Sequence, residues 1–205
     1  MNIAVFASGR GSNFQAILDA IDRGQLSARV AVLLTNKSDA GAREIALAHN
    51  ISSIHLSQKQ FAGEDAFTAA MLENLRHHRV DFIALAGYLK RVPSAVIREF
   101  RNKILNIHPA LLPAFGGNGM YGRFVHEAVI ASGAKITGAT VHIVDEEFDH
   151  GPIVMQECVR VAEDDTPDSL AAKVLRLEHE LFPRALQAFA SGKVRVEGRR
   201  AWVTS

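Results

Sequence analysis

The polar residues best suited to chemistry lie at the end of an apolar segment, in the run LNIHP. Asn106 and His108 are two positions apart, so on a strand their side chains point to the same side and Ile107 points to the other. An amide donor beside an imidazole can stabilise an oxyanion, and the imidazole can also carry protons near neutral pH. The competing interpretation is structural: Asn106 caps a turn before Pro109, and His108 bonds a backbone carbonyl.

A second candidate comes from the acidic segment VDEEFDHGP, which contains Asp145, Glu146, Glu147 and Asp149. The last of these acids precedes a His-Gly-Pro break that can direct its side chain inward. If Asp149 reaches His108, it would hold the imidazole and raise its pKa, which favours the cation. A solvated acidic turn is the alternative interpretation of the same residues.

The segment SGRGSN, at residues 8 to 13, follows the apolar run Ile3 to Ala7 and precedes an amphipathic segment. A glycine turn before a helix presents unpaired N–H groups and a positive dipole end, which suit a phosphate. Phe14 occupies the third glycine position of a dinucleotide fingerprint, and no acidic residue follows the second strand at Asn36, so a small monophosphate fits better than NAD. A plain tight turn capped by Ser12 or Asn13 is the alternative.

Short apolar runs alternate with amphipathic segments along the chain, which predicts parallel strands joined by helices. We therefore expect an α/β, Rossmann-like, mostly parallel twisted sheet of about seven strands with helices on both faces. Residues 109 to 122 contain two prolines and four glycines and predict a loop that moves or wraps a ligand. The predicted strands are 3–7, 30–34, one around Ile54, 82–86, 104–107, 137–144 and 153–161, with 194–203 as a final strand or hairpin. Helices are predicted over 42–49, near 123–132 and over 167–190, with a short one opened by Pro93. Two more are marked by apolar residues at helical spacing, which are Phe14, Ile17, Leu18 and Ile21 in the first and Phe67, Met71, Leu72 and Leu75 in the second.

Composition narrows the classes of protein that remain. The chain has 205 residues, 23 Lys and Arg against 22 Asp and Glu, and one cysteine. This balance disfavours a nucleic-acid partner, and a single cysteine cannot form an internal disulfide. We find no signal-peptide pattern, membrane span or zinc-ligand spacing, so a cytoplasmic protein without a structural metal is expected. One domain over residues 1–205 is predicted, with a phosphate-binding half at about 1–100 and a catalytic half at about 101–205.

Five segments together resemble the phosphoribosylglycinamide formyltransferases, a branch of the folate-dependent formyltransferase family. They are SGRGSNFQA, LAGYLKRV, ILNIHPALLP, GATVHIVDEEFDHGPIV and LEHELFP, which run from one end of the chain to the other. The wider family shares LNIHPxLLP and the later DxGP, whereas SGxGSN is more specific. Relatives that act on methionyl-tRNA or amino sugars usually have a second domain, for which this length leaves no room.

The resemblance implies direct formyl transfer from 10-formyltetrahydrofolate to the amine of glycinamide ribonucleotide in de novo purine biosynthesis, with no metal or covalent enzyme intermediate. It assigns catalysis to Asn106, His108 and Asp149. It also implies a monomer or homodimer that acts without nucleic acid or membrane. The implied ribonucleotide-binding residues are Gly11, Ser12 and Asn13 for the phosphate and Glu178 for the ammonium or ribose side. The implied folate-binding residues are Leu85, Tyr88, Leu89, Lys90, Arg91, Val92, Asp145 and Glu146.

Three features depart from the family pattern. The loop FGGNGMYGRFVHEAV is a variant of a shorter loop in many relatives, Glu64 stands where some members have arginine, and Leu175 replaces a polar residue.

Two other functions remain open: a formyltetrahydrofolate hydrolase, and a non-catalytic phosphate-binding module on the same fold. The hydrolases carry an amino-terminal regulatory domain, whereas the first predicted strand here begins next to Met1. A serine hydrolase is disfavoured because no G-x-S-x-G elbow is present.

Overall fold

The computed structural model describes residues 1–204, which form two compact units, one of residues 1–105 and one that begins at Asn106. The division falls inside a strand, at Ile104–His108. Each unit has its own arrangement of strands and helices. The elements are numbered in chain order, from β1 to β9 and from α1 to α6.

Unit 1 is built from parallel strands joined by helices. Its strand order is β3-β2-β1-β4 followed by the beginning of β5, and β1 pairs in parallel with both β2 and β4. The strands form because short apolar runs can be buried on both faces of a parallel sheet, and all but the first residue of β1 is buried. The strands are β1 (Asn2–Phe6), β2 (Arg29–Thr35), β3 (Ser53–His55), β4 (Phe82–Leu85) and β5 (Ile104–His108). The helices are α1 (Ser12–Asp22), α2 (Ala42–Ala48), α3 (Glu64–His77) and α4 (Ser94–Glu99).

The sequence predicts that Pro93 opens α4, but the helix begins one residue later, at Ser94. Pro93 has φ −57° and ψ 141°, an extended conformation outside the helix. The proline ring fixes φ at a value that suits both the first residue of a helix and the residue before it. The value of ψ therefore determines where the helix begins, and residue type does not determine ψ.

Unit 2 departs from the parallel pattern. Its order continues from β5 through β6 (Ile136–Ile143), β7 (Ile153–Arg160), β9 (Arg200–Val203) and β8 (Val194–Glu197). Strands β6 and β7 pair antiparallel, β7 and β9 pair in parallel, and β8 and β9 form an antiparallel hairpin. The two helices are α5 (Arg123–Ala131) and α6 (Pro167–Ala190), and α6 begins with a Thr166 side chain that accepts the Ser169 N–H.

The α/β class and the mostly parallel pairing are confirmed, but the strand count is nine rather than about seven. The two further strands are β8 and β9. They lie in residues 194–203, which the sequence predicts as a final strand or a hairpin. Each is only four residues long, and neither contains a fully buried residue. Such short, half-exposed strands carry little apolar pattern.

Among residues 1–204, no helix is long and apolar enough to cross a membrane.

The segment that follows β5 is held by one buried hydroxyl in β6. Thr140 is fully buried and donates to the Ala110 carbonyl at 2.6 Å, and it accepts from the Leu112 N–H at 3.0 Å. The Gln156 amide donates to both Thr140 Oγ1 and the Leu112 carbonyl, each at 2.9 Å. Residues 110–112 therefore depend on side chains for hydrogen bonds that a regular strand would supply.

We expect Thr140→Val to lower the free energy of unfolding by about 2–3 kcal/mol, because it leaves the Leu112 N–H and the Ala110 carbonyl without their partner. The matched control is Thr137→Val on the same strand. Its hydroxyl is also buried but has no hydrogen-bond partner within residues 1–204, so its removal should be neutral or stabilising. Urea unfolding measures both variants, and equal losses would contradict the assigned network.

Candidate active site

His108, the last residue of β5, forms a buried pair with Asp149 in the loop after β6. The His108 side chain is only 3% exposed, and its Nδ1 lies 3.5 Å from Asp149 Oδ2. Its Nε2 lies 2.8 Å from the Phe115 carbonyl, which can only accept, so Nε2 carries a hydrogen and donates it. The Gly117 N–H donates to the same Asp149 oxygen at 2.9 Å. Two backbone groups of the glycine-rich loop, residues 109–122, therefore bind the pair, one at each of its side chains.

The backbone on both sides of this pair is in the left-handed region that side chains rarely adopt. Asp149 has φ 53° and Phe115 has φ 54°. Between the two loops, a Cβ on Gly116 would lie 3.2 Å from the Asp149 Cβ and 2.5 Å from the Leu112 Cδ2. The loop can approach Asp149 this closely because position 116 is glycine.

Asn106, the other polar residue of β5, contacts a histidine rather than capping a turn. Its Nδ2 lies 3.1 Å from Nε2 of His142, a β6 side chain that is 2% exposed. The same Nε2 lies 3.5 Å from Asp149 Oδ1. Asp149 thus lies near two histidines, and the three sequence-predicted residues form one polar cluster with His142, in which the histidines are buried and Asn106 and Asp149 are partly buried.

The pKa of His108 differs from the expectation of a favoured cation. Burial lowers this pKa, and that effect outweighs the upward effects of Asp149 and of the Phe115 carbonyl. Asp149 does act in the expected direction, but the sequence could not show how completely the ring is removed from water. The free protein therefore holds a neutral His108 at neutral pH. Both ring nitrogens face acceptors, so the ring can take up a second proton without moving.

The pKa values of Asp149 and of the nearby His126 are also shifted. Burial raises the pKa of Asp149, but the neighbouring His142 and His108 and the Gly117 amide lower it by more, so the net pKa is lowered and the carboxylate is ionised. His126 on α5 is buried, and its pKa is lowered by burial and by the nearby His108. Within residues 1–204, the His126 Nδ1 has no hydrogen-bond partner.

We expect the free energy of unfolding to rise from about pH 5 to about pH 7.5, because groups whose pKa is lowered by folding bind more protons when unfolded. His78, His108 and His126 all have lowered pKa values, so their effects add, and the loss begins as the pH falls below their unfolded pKa of about 6.5. Urea unfolding across this range measures the slope. His126→Gln should make it shallower, whereas a flat or inverted wild-type profile would contradict the expectation.

The glycine turn of unit 1 is formed by backbone that only glycine adopts easily. Gly11 has φ 85°, and a Cβ there would lie 2.9 Å from both the Cα and the Cβ of Ala42. Helix α1 begins at Ser12 with Gly11 as its N-cap residue and without a side-chain cap. The interpretation of the turn as one capped by Ser12 or Asn13 is therefore wrong. Instead, the first turn of α1 presents N–H groups, which is the geometry that suits an anion.

Ser8 joins this turn to the segment expected to bind folate. Its hydroxyl donates to Asn36 Oδ1 at 2.5 Å and accepts from the Leu89 N–H at 2.9 Å. Within the segment, Leu85, Tyr88 and Val92 are buried, and burial raises the pKa of Tyr88 to about 12. The side chains of Leu89, Lys90 and Arg91 are exposed. Three of the six predicted residues therefore pack inside unit 1, and three can meet a ligand with their side chains.

The remaining predicted residues lie in unit 2. Glu178 is buried on α6, whereas Glu146 is exposed. The Asp145 carboxylate is already engaged: it accepts from the Glu147 N–H at 3.0 Å and lies 2.8 Å from His150 Nδ1. Asp145 and Glu146 are not among the residues that line a neighbouring cleft of about 490 Å³, which is bordered by residues 147–151, 112–113, 116–117 and 199–201. Within residues 1–204, no group of three or more His, Cys, Asp or Glu could hold a metal ion.

Sequence reasoning missed three contributors to the cluster. His142 gave one usable signal, since it is the only ionisable residue in the otherwise uncharged strand β6. The Phe115 carbonyl and the Gly117 N–H gave none, because backbone groups are the same at every position. Only the path of the loop brings them to His108 and Asp149.

The chain matches a known protein family and several individual relatives. The family model described as formyl transferase matches residues 1–186. A chloroplastic phosphoribosylglycinamide formyltransferase of Vigna unguiculata is 45% identical over 192 residues, which are 94% of this chain and 62% of that protein. The enzyme of the same name from Bacillus subtilis is 39% identical over 90% of this chain and 92% of its own. The chain thus spans less than two thirds of the plant relative and most of the bacterial one.

A solved structure agrees with these relatives. The crystal structure of glycinamide ribonucleotide transformylase 1 from Symbiobacterium toebii has a TM-score of 0.94 and 38% identity. The match covers 100% of this chain and 94% of that one. The fold of that structure therefore agrees with the fold described above.

Proposed function

Because the chain belongs to the formyl transferase family, we propose that it transfers the formyl group of 10-formyltetrahydrofolate to the amine of glycinamide ribonucleotide. The products are formylglycinamide ribonucleotide and tetrahydrofolate, in de novo purine biosynthesis. The relatives in the preceding section carry the corresponding name. The chemistry of the buried cluster supports the assignment independently.

One observation carries the proposal: an ionised carboxylate lies 3.5 Å from the imidazole of His108, and the amide of Asn106 belongs to the same cluster. Acyl transfer needs a donor to the oxygen that becomes negative and a group that accepts and returns a proton. Asn106 provides N–H groups, and His108 provides the titratable ring. Asp149 provides the charge that stabilises the ring when it becomes a cation.

In the proposed reaction, the uncharged amine attacks the formyl carbon, and the carbonyl electron pair moves to oxygen. Asn106 and His108 stabilise this oxyanion. The attacking nitrogen then loses a proton, the bond between the formyl carbon and N10 of the folate breaks, and N10 takes up a proton. Asp149 and His108 assist both proton transfers, through water where they do not reach the nitrogen directly. Atoms and charge balance without a metal or a covalent enzyme intermediate.

The lowered pKa of His108 refines its role. A neutral ring in the free protein can take a proton during the reaction, whereas a permanent cation would have none to accept. The negative oxygen of the intermediate would then offset the cost of a buried cation, as the carboxylate of Asp149 does. We propose that His108 becomes positively charged only as the oxyanion forms.

The binding roles are proposed from the resemblance and the local structure. Gly11, Ser12 and Asn13 would hold the ribonucleotide phosphate at the start of α1, where N–H groups and the helix dipole favour an anion. Glu178 would pair with the ammonium or ribose side of the ribonucleotide. The folate would be met by Leu85, by residues 88–92, and by Asp145 and Glu146. Because the Asp145 side chain is already engaged, that contact would be made by its backbone.

The test is a turnover assay with both substrates and purified protein. We expect tetrahydrofolate to appear in equal amount to formylated ribonucleotide, and no folate product to appear when the amine acceptor is omitted. Folate release without acceptor would support the hydrolase instead. Ribonucleotide binding without turnover would support the non-catalytic module.

A further inference from the structure

The imidazole of His142 has one assignable hydrogen position. Its Nδ1 lies 2.9 Å from the Ile143 carbonyl, and a carbonyl oxygen only accepts. The hydrogen of the neutral ring therefore belongs on Nδ1, and Nε2 is left as an acceptor. Asp149 Oδ1 lies 3.5 Å from the same Nε2, which is farther away than Nδ2 of Asn106 at 3.1 Å.

This acceptor determines which way the Asn106 amide faces. The Asn106 atom at 3.1 Å from Nε2 is Nδ2, which has two hydrogens, whereas its Oδ1 could not donate. One hydrogen of the NH₂ group is thus used by His142. The second remains available to another acceptor, and a flip of the amide would place two acceptors against each other.

We propose that His142 is a positioning residue that holds the Asn106 amide with an N–H group available for the oxyanion. This inference rests on the proposed function, because the oxyanion arises only in acyl transfer. In this role His142 acts through Asn106 rather than on a reacting atom. The chain of contacts runs from the Ile143 carbonyl through the ring to Nδ2 of Asn106, and all of its members belong to unit 2.

The inference predicts a defined loss of rate. Removing an oxyanion donor outright costs roughly 100- to 1000-fold in kcat, so an amide that spends part of its time flipped should cost somewhat less, roughly 10- to 100-fold. The KM values for both substrates should change little, since the orientation matters most when charge develops on the oxygen.

Two amide substitutions provide a matched pair. In His142→Gln the terminal amide reaches about as far as Nε2, so its oxygen can accept from Asn106. In His142→Asn the terminal amide reaches only as far as Nδ1, so the acceptor is lost. We expect kcat to fall in the asparagine variant and to recover largely in the glutamine variant. A purely structural role would give losses that follow thermal stability, which is measured for both variants.

A double-mutant cycle tests whether His142 acts through Asn106. In an Asn106→Ala background, His142→Asn should cost little further activity, because the amide that it orients is absent. If His142→Asn retains wild-type kcat, the inference is overturned. An equal loss with and without the Asn106 amide also overturns it.

A measurement without turnover separates this inference from the proposed function. In protein labelled with ¹⁵N, an N–H···N hydrogen bond gives a coupling between the two nitrogens, here Nδ2 of Asn106 and Nε2 of His142. We expect the coupling in wild type and its absence in His142→Asn. Absence in the wild-type protein overturns the inference even if the enzyme is active. Presence of the coupling in a protein without turnover supports the amide orientation and rejects the proposed function.

Discussion

Asp149→Asn and His108→Ala are each expected to lower kcat by roughly two to four orders of magnitude while leaving ribonucleotide binding within about threefold of wild type. Asparagine has the shape of aspartate and can still accept the Gly117 N–H, so the loop should keep its conformation. It cannot stabilise a cationic ring at 3.5 Å, which is the role assigned to the carboxylate. His108→Ala removes the ring itself.

Steady-state kinetics with both substrates and calorimetric titration of the ribonucleotide measure these effects. Glu163→Gln is the matched control, since it makes the same chemical change at an exposed carboxylate that pairs with Lys135. Wild-type turnover in Asp149→Asn or His108→Ala would refute the roles assigned to the pair. A loss of ribonucleotide affinity as large as the loss of kcat would place these residues in binding instead.

Gly151→Ala should lower the free energy of unfolding by about 3 kcal/mol or more, a size typical of strong steric conflict. A Cβ at this position would lie 1.9 Å from the Ile143 carbonyl oxygen and 3.4 Å from the Asp145 N. Both are backbone atoms, so no side-chain rotation can relieve the contact. The pairing of the Ile143 N–H with the Pro152 carbonyl, at 2.8 Å, must then open.

Thermal unfolding should show a fall of about 6–12 °C in Tm for this loss in a chain of this length. Activity should fall as well, because the strained loop at Asp149 ends at this contact. Gly63→Ala is the control: nothing lies within 4 Å of its added Cβ, and its φ of −178° suits any residue. A Gly151→Ala protein as stable as the control would contradict the close approach of the two backbones.

Much of unit 1 could be predicted because its signals are local. Buried parallel strands are continuous apolar runs, so β2, β4 and β5 lie within two residues of their expected ends. Helix α6 also occupies the predicted residues 167–190, and in the structure a Thr166 side chain caps its start. The hairpin at 194–203 was harder, since strands of four residues have almost no periodicity to detect.

The residues that can do chemistry were recognisable from their types and from the family motifs, because an amide, an imidazole and a carboxylate have few substitutes for oxyanion and proton chemistry. Their protonation and orientation come from the tertiary structure. Burial, rather than the charge of Asp149, determines the direction of the His108 pKa shift. The Phe115 carbonyl accepts a hydrogen bond from Nε2 of His108. His142 on β6 contacts Nδ2 of the Asn106 amide. These effects depend on distances of about 3 Å between groups far apart in the chain, and no local pattern encodes such distances.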